Sequence, residues 1–470
     1  MQKNDEKVGI VIGVGMNGEG ILKDEDTVIF VPFALPTEKI KYKVLKVTKK
    51  CAYGKLMEVL TPAKERVVAP CPVFSKCGGC QLQHVDYDSQ LLIKENNIKT
   101  CFKKIANLDV EILPTEKGDN EFYYRNKLQL PVGQTEEGAV IGFYAENSHR
   151  IIPISDCMIN GHWAKKVIKA FKTYFETYSI KGYSEINHSG DVREITVKEI
   201  NGKLIITVVT LTLNLPHLDG LLEILKEELK EEFSLFQNVN KDATNVIYGK
   251  EFKLLYGERE YSSNMNGINY KIGVQSFMQV NPSVCAKLYQ AVKDSVGIDK
   301  DTVVIDAYSG AGLMTALLAK DAKKAIGVEI IKEAVDIAND LMKENGLDDK
   351  VKNYCGKCEE LLPKIVKEEK EKNNKVVVVL DPPRKGVDIK VVKSILDSNI
   401  DKIAYVSCLP STLARDVGLI VGSLTEVDGE IKKTDECELR YDIEFIKPFD
   451  MFSQTKHVET LVVLKKIKSS

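Results

Sequence analysis

The sequence predicts a multidomain α/β protein with a small N-terminal β-barrel, a mixed α+β central domain and a C-terminal Rossmann-like domain. Three observations carry this reading. From about residue 280 onward short apolar runs alternate with helical stretches, the pattern of a parallel sheet covered by helices. Before residue 60 the chain is made of short β-branched runs punctuated by glycine. Between them, residues 61–82 are rich in Cys, Pro and Gly and read as a loop. The expected domains are therefore 1–60, 61–275 and 276–470.

A chain of 470 residues has ample material for more than one core. Its 44% hydrophobic and 29% charged content is ordinary for a globular protein. With a formal net charge of −2, any nucleic-acid role must rest on local patches. Met1 to Lys7 lacks the apolar run of a signal peptide, and no apolar run is long enough to span a membrane. A cytosolic protein is expected, where disulfides are rare, so eleven cysteines suggest metal binding and catalysis beside some buried thiols.

In the first domain, Val8–Ile12 and Val28–Val31 read as strands, with Gly13, Gly15, Gly18 and Gly20 in the turn between them. Lys39, Lys41 and Lys43 alternate with Ile40 and Tyr42, giving one charged strand face. That face is either solvated or the basic side of an RNA-binding barrel. Residues 86–107 have Leu91, Leu92, Ile98, Phe102 and Ile105 spaced for one apolar helix face, which would pack on the catalytic domain. Residues 120–275 look mixed, with Leu204–Val209 a strand. In the last domain the strands are Val303–Ile305, Ala325–Val328, Val376–Leu380, Ile403–Val406 and Leu461–Leu464.

Asp306-Ala307-Tyr308-Ser309-Gly310-Ala311-Gly312 follows the first of these strands. Gly310 and Gly312 allow a tight turn and close approach to a ligand. A dinucleotide fold would want a third glycine where Thr315 stands. Without it, the loop suits a cofactor lacking phosphates, such as S-adenosylmethionine. Glu329 ends the next strand, where an acid can accept bonds from ribose hydroxyls. The alternative is a tight turn with no ligand. Asp381 ends the strand Val376–Leu380, and Cys408 follows Ile403–Val406, so neighbouring parallel strands would bring both to one rim. Cys408 also precedes a helix, whose positive end would lower the thiol pKa and favour a nucleophile. A buried structural cysteine is the plain alternative.

Together these residues resemble the TRAM-domain RNA uracil-C5 methyltransferases, bacterial enzymes that make 5-methyluridine in 23S rRNA. The resemblance covers nearly the whole chain. It implies a TRAM domain to residue 60 and a C-terminal S-adenosylmethionine-dependent catalytic domain. Cys71, Cys77, Cys80 and Cys157 match the family's iron–sulfur ligands, and Phe122-Tyr123-Tyr124-Arg125-Asn126-Lys127 its central motif. Gln279, in Ser276-Phe277-Met278-Gln279-Val280-Asn281, matches a cofactor-binding position, as do Tyr308, Glu329 and Asp381. Cys408 matches the nucleophile and Glu459 the general base. Two departures stand out. Leu409 replaces a common Asn, and Cys358 replaces a common Ala, creating a Cys355-x-x-Cys358 pair read here as incidental.

Uracil C5 is a poor nucleophile. A thiolate adding to C6 turns the ring into an enolate whose C5 can take a methyl group. C5 then carries a proton that a base must remove before the thiolate leaves. Cys408 and Glu459 suit these two roles. From pattern alone Glu459 is a charged strand end, and His457, on the same strand face, is read as structural. Asp381 has two open roles, binding the uracil edge or positioning the cofactor. The spacing Cys71-x5-Cys77-x2-Cys80 with Cys157 suits zinc or an iron–sulfur cluster, and the resemblance implies [4Fe–4S]. The radical pattern Cys-x3-Cys-x2-Cys is absent, so a structural or RNA-contacting role follows. The expected partner is 23S rRNA, bound by a monomer. The alternatives are a tRNA uracil-C5 methyltransferase, a branch that generally lacks the TRAM domain and cluster, a nicotinamide oxidoreductase and a non-catalytic RNA-binding protein.

Overall fold

The computed structural model describes residues 1–398, 400–434 and 440–467. Packing divides the chain into two units, not at the expected boundaries of 60 and 275. One comprises residues 1–93, 120–261 and 452–456; the other comprises 94–119, 262–451 and 457–470.

In the first unit six strands form a sheet in the order Glu6–Ile10, Lys39–Val47, Cys51–Thr61, Thr27–Val31, Gly20–Asp24, Gly13–Val14. Ile40, Tyr42 and Val44 point into one small core with Val11, Leu22, Ile29 and Val31, while the alternate lysines point out. No pairing that closes this sheet into a barrel is present among the described residues. Lys41 is held by Glu6 at 2.7 Å, so part of the basic face is internally paired. The rest of the unit is built on a seven-stranded sheet, ordered Phe252–Tyr256, Phe233–Val239, Lys203–Thr210, Val192–Ile200, Lys127–Thr135, Gly138–Tyr144, Ile151–Pro153. Helix Trp163–Tyr178 covers one face through Val167, Ile168, Phe171, Tyr174 and Phe175, spaced at three and four residues.

The second unit carries a seven-stranded sheet: β1 (Thr302–Ala307), β2 (Lys324–Glu329), β3 (Val351–Cys355), β4 (Lys375–Leu380), β5 (Lys402–Ser407), β6 (Tyr441–Phe449) and β7 (Glu459–Lys466). Their order is β3-β2-β1-β4-β5-β7-β6. The first five are parallel, as expected from runs buried on both faces. β7 is not: it runs antiparallel to β5 and β6, and β6 has no counterpart among the expected strands. Ile268, placed by sequence in the central domain, packs against Ala316 and Leu317 of this unit.

Helix Tyr87–Cys101 and the π-helical segment Phe102–Ala106 that continues it send Ile98, Cys101, Phe102 and Ala106 into the core of this sheet. The expected apolar face is shifted, however. Leu92 is 55% exposed, while the polar Gln90 and Lys94 are buried because both have partners. Helix Pro282–Ser295 starts where Asn281 caps Val284 N–H at 3.4 Å, with proline in the first turn. Among the described residues no helix is long and apolar enough to cross a membrane.

Candidate active site

The register of the sheet assembles the reactive rim. β4 and β5 are parallel with Leu380 opposite Tyr405, so Asp381 and Cys408 leave neighbouring strands at the same end. β7 enters the sheet antiparallel at that end, with Thr460 opposite Ser407. Glu459, the first residue of β7, therefore lies at the carboxyl rim of the parallel strands beside Cys408. An acid at the start of a parallel strand would have landed at the far edge.

These groups feel one another. Burial pushes the Cys408 thiol up, and the negative charges of Glu459 and Asp381 push it further. A hydrogen bond from Arg384 and its positive charge oppose them. The thiol is thus shifted upward, against the lowering expected from its place before helix Pro410–Val421, with burial the largest cause. Burial, with Asp381 behind it, pushes the Glu459 carboxyl up to about 8, against the pull of Arg384. Asp381 is raised to about 7 by the protein packed around it, although it keeps accessible surface through which water softens the effect. Helix Pro282–Ser295 brings Cys285 and Tyr289 beside the same carboxylates. Gln279 lies half-buried in the loop leading into that helix, two residues after Phe277, which is 79% exposed.

The glycine loop follows β1. Tyr308 takes φ +68° and donates its N–H to Val328 O at 2.9 Å, and its phenol meets the Cys358 thiol. Gly310 N–H donates to Glu329 at 3.0 Å, and Ile331 N–H to the other oxygen at 2.9 Å. A side chain at Gly310 would meet open space, so the loop is hollow where a ligand would lie. Gly312 has φ +84°, and a Cβ there would come 2.8 Å from Ala338 Cβ. The close approach of helix Lys332–Glu344 therefore requires a glycine here. Thr315, where a third glycine was tested for, instead donates to the buried Asp306 at 2.5 Å. Ile330 and Ile331, beside Glu329, are 60% and 56% exposed. The hollow loop, the acid and the exposed apolar pair suit a nucleoside-type cofactor such as S-adenosylmethionine.

The structure brings Cys71, Cys77, Cys80 and Cys157 into mutual electrostatic contact, all reduced. Burial raises Cys77, Cys80 (to about 12) and Cys157, and the neighbouring thiols add to it. Gly79 N–H donates to Cys77 Sγ at 3.3 Å and Asn160 Nδ2 to Cys157 Sγ at 3.2 Å. Yet among the described residues no group of three or more His, Cys, Asp or Glu is arranged to hold a metal ion. The donor chemistry suits a cluster; the closed ligand geometry is not formed.

Arg384, which no sequence pattern singled out, is the cation beside Cys408. Its position three residues after Asp381 was the available signal. Asp306 was missed likewise; an acid ending a buried strand was the clue.

A sheet of this order, with a glycine loop after its first strand and an acid ending its second, is a Rossmann-like domain of the kind that binds a nucleoside cofactor at the carboxyl rim. Residues 226–467 match the model of the tRNA (uracil-5-)-methyltransferase family. An RNA methyltransferase of Clostridium acetobutylicum, of uncharacterised specificity, is 37% identical over 99% of this chain and 98% of its own. One from Halalkalibacterium halodurans is 36% identical over 99% and 98%. The crystal structure of Pyrococcus abyssi tRNA (uracil-54, C5)-methyltransferase with S-adenosyl-L-homocysteine aligns with a TM-score of 0.75 and 25% identity, over 97% of this chain and 100% of that one. This chain belongs to the S-adenosylmethionine-dependent uracil-C5 RNA methyltransferase family.

Proposed function

We propose that this protein methylates C5 of a uridine in 23S rRNA, with Cys408 as nucleophile and Glu459 as base. The observation that carries the chemistry is the pairing of Ser407 with Thr460, which sets thiol and carboxyl beside each other at one rim. Cys408 adds to uracil C6 as the thiolate, with Arg384 favouring the charged form. The electron pair moves to C5, which takes the methyl group of S-adenosylmethionine and leaves S-adenosylhomocysteine. Glu459 then takes the C5 proton, the C5–C6 double bond re-forms, and the Cys408–C6 bond breaks. A carboxyl raised to about 8 is a stronger base than an ordinary one, and its pKa lies near working pH.

Gly310, Gly312, Glu329, Tyr308 and Gln279 would hold the cofactor, with Ile330 as an apolar rest for adenine. Exposed Phe277 offers a stacking surface for a base. Cys71, Cys77, Cys80 and Cys157 would hold a [4Fe–4S] cluster, or zinc. When bound it would cross-link the loop 71–80 to Cys157, and the redox-neutral methyl transfer asks no electron of it.

A second substrate, tRNA, is favoured by one observation: the Pyrococcus relative that aligns over nearly this whole chain is named for uracil-54 of tRNA. Mapping 5-methyluridine by mass spectrometry in 23S rRNA and tRNA, from cells with and without this gene, separates the two. Cys408→Ala should abolish methyl transfer to either RNA while leaving S-adenosylhomocysteine binding intact. Turnover near wild type in that variant would sink the mechanism.

A further inference from the structure

The segment joining β6 to β7 carries Glu459 at its end, and it is held by side chains that no step of the chemistry uses. Its middle, residues 452–456, packs with the first unit, unlike the residues on either side. Gln454 is the most constrained of them. Its carbonyl accepts from Gln81 N–H at 3.2 Å and Leu82 N–H at 3.0 Å. Its side-chain oxygen accepts from Gln90 Nε2 at 3.0 Å, while its own N–H donates to Gln90 Oε1 at 3.2 Å. Around it, Tyr124 OH donates to Ser453 O at 3.0 Å, and Lys456 N–H donates to Gln81 Oε1 at 3.3 Å. Gln90 and Gln454 are 1% and 2% exposed.

Two features say that this lock fixes a position. First, Gln454 sits at φ +70°, in the left-handed region, which is strained for a non-glycine residue and persists only where the surroundings over-determine it. Second, a reciprocal pair of buried amides is a specific device: apolar side chains of the same size would fill the space but would not select one backbone path. The same helix holds the front of the segment. Lys94, one turn from Gln90 and on its face, is ion-paired with Asp450, both side chains fully buried. Gln90 thus holds the chain at 454, and only four residues then separate the lock from Glu459.

A general base must lie within hydrogen-bond reach of its proton, and a displacement of about 1 Å can cost about a hundredfold. We propose that Gln454 and Gln90 are positioning residues for Glu459, fixing it for removal of the C5 proton. This rests on the reading of Glu459 as the base. Cys408 directly follows β5, outside the segment, so adduct formation and methyl transfer should not depend on the lock.

The test is a single-turnover reaction of the full-length protein with a 23S rRNA transcript, run in parallel with a tRNA transcript, and methyl-labelled S-adenosylmethionine. Quenching into denaturant separates the labelled protein–RNA adduct from released methylated RNA. Gln90→Met removes the side-chain lock. Gln454→Gly removes only the side chain, keeping the carbonyl contacts and the left-handed backbone without strain, so at least one folded variant is available. In both, label should enter RNA within about twofold of the wild-type rate, while adduct decay slows about 10- to 100-fold. Adduct decay at the wild-type rate overturns the proposal, as does an equal fall in methyl transfer and decay, which would mean a merely structural role. Glu459→Gln serves as the reference. If it too releases RNA at the normal rate, it is the assignment of the base that fails.

Discussion

Arg384 is the group on which the ionisation of Cys408 turns. Burial and the neighbouring carboxylates raise the pKa of Cys408: burial first, then the charge of Glu459, then that of Asp381. Among the side chains around it Arg384 alone pulls it down, by a hydrogen bond and by charge. Arg384→Met keeps an unbranched apolar stem and removes both. A hydrogen bond to a charged group is worth about 1.5–3 kcal/mol, and because Arg384 is exposed the lower end applies. At about 1.36 kcal/mol per pKa unit, that is about one unit, or about tenfold less thiolate at any pH below the pKa. The expected result is adduct formation about tenfold slower at neutral pH, approaching wild type as pH rises past the shifted thiol pKa. Alkylation of Cys408 by iodoacetamide, followed by peptide mass spectrometry across a pH series, reads the same quantity without RNA. An unchanged alkylation profile in Arg384→Met would refute the reasoning, and a loss of rate that high pH does not restore would assign Arg384 to substrate binding instead.

Glu459 titrates near 4.5 unfolded but near 8 in the folded protein, so between these pH values the unfolded chain binds fewer protons and stability should fall as pH rises. Denaturant titrations should show Glu459→Gln losing that slope, and decay of the wild-type adduct should accelerate with pH up to about 8. Gly312→Ala forces a Cβ into the left-handed region and against Ala338, so it should destabilise the fold by about 1–3 kcal/mol and weaken S-adenosylhomocysteine binding, as thermal melts with and without the ligand would report. Anaerobically purified protein should contain iron and sulfide, and Cys80→Ser should lose both; one zinc and no iron would keep the four ligands but replace the cluster.

What could be read in the sequence follows from how local each signal is. The parallel strands were legible because burial on both faces leaves unbroken apolar runs, and Val376–Leu380 is such a run flanked by turns. The rim was legible for the same reason: once two strands are parallel neighbours, the residues after them share an edge, which brought Asp381 and Cys408 together before any coordinates. β6 was missed because its burial alternates, as expected of an antiparallel edge strand, and Tyr441–Phe449 carries charges at Asp442, Glu444 and Lys447. The direction of β7 was missed with it, and from pattern alone Glu459 was only a charged strand end. The same limit explains helix Tyr87–Cys101. Periodicity put Leu92 inside and left Gln90 and Lys94 outside, because a hydrophobic pattern cannot register partners more than 350 positions away. Asp450 and Gln454 supply those partners, so the polar residues that broke the pattern are the ones that hold the segment leading to Glu459. Departures from periodicity in this chain therefore mark where distant parts of the sequence meet, and that is where its candidate chemistry is assembled.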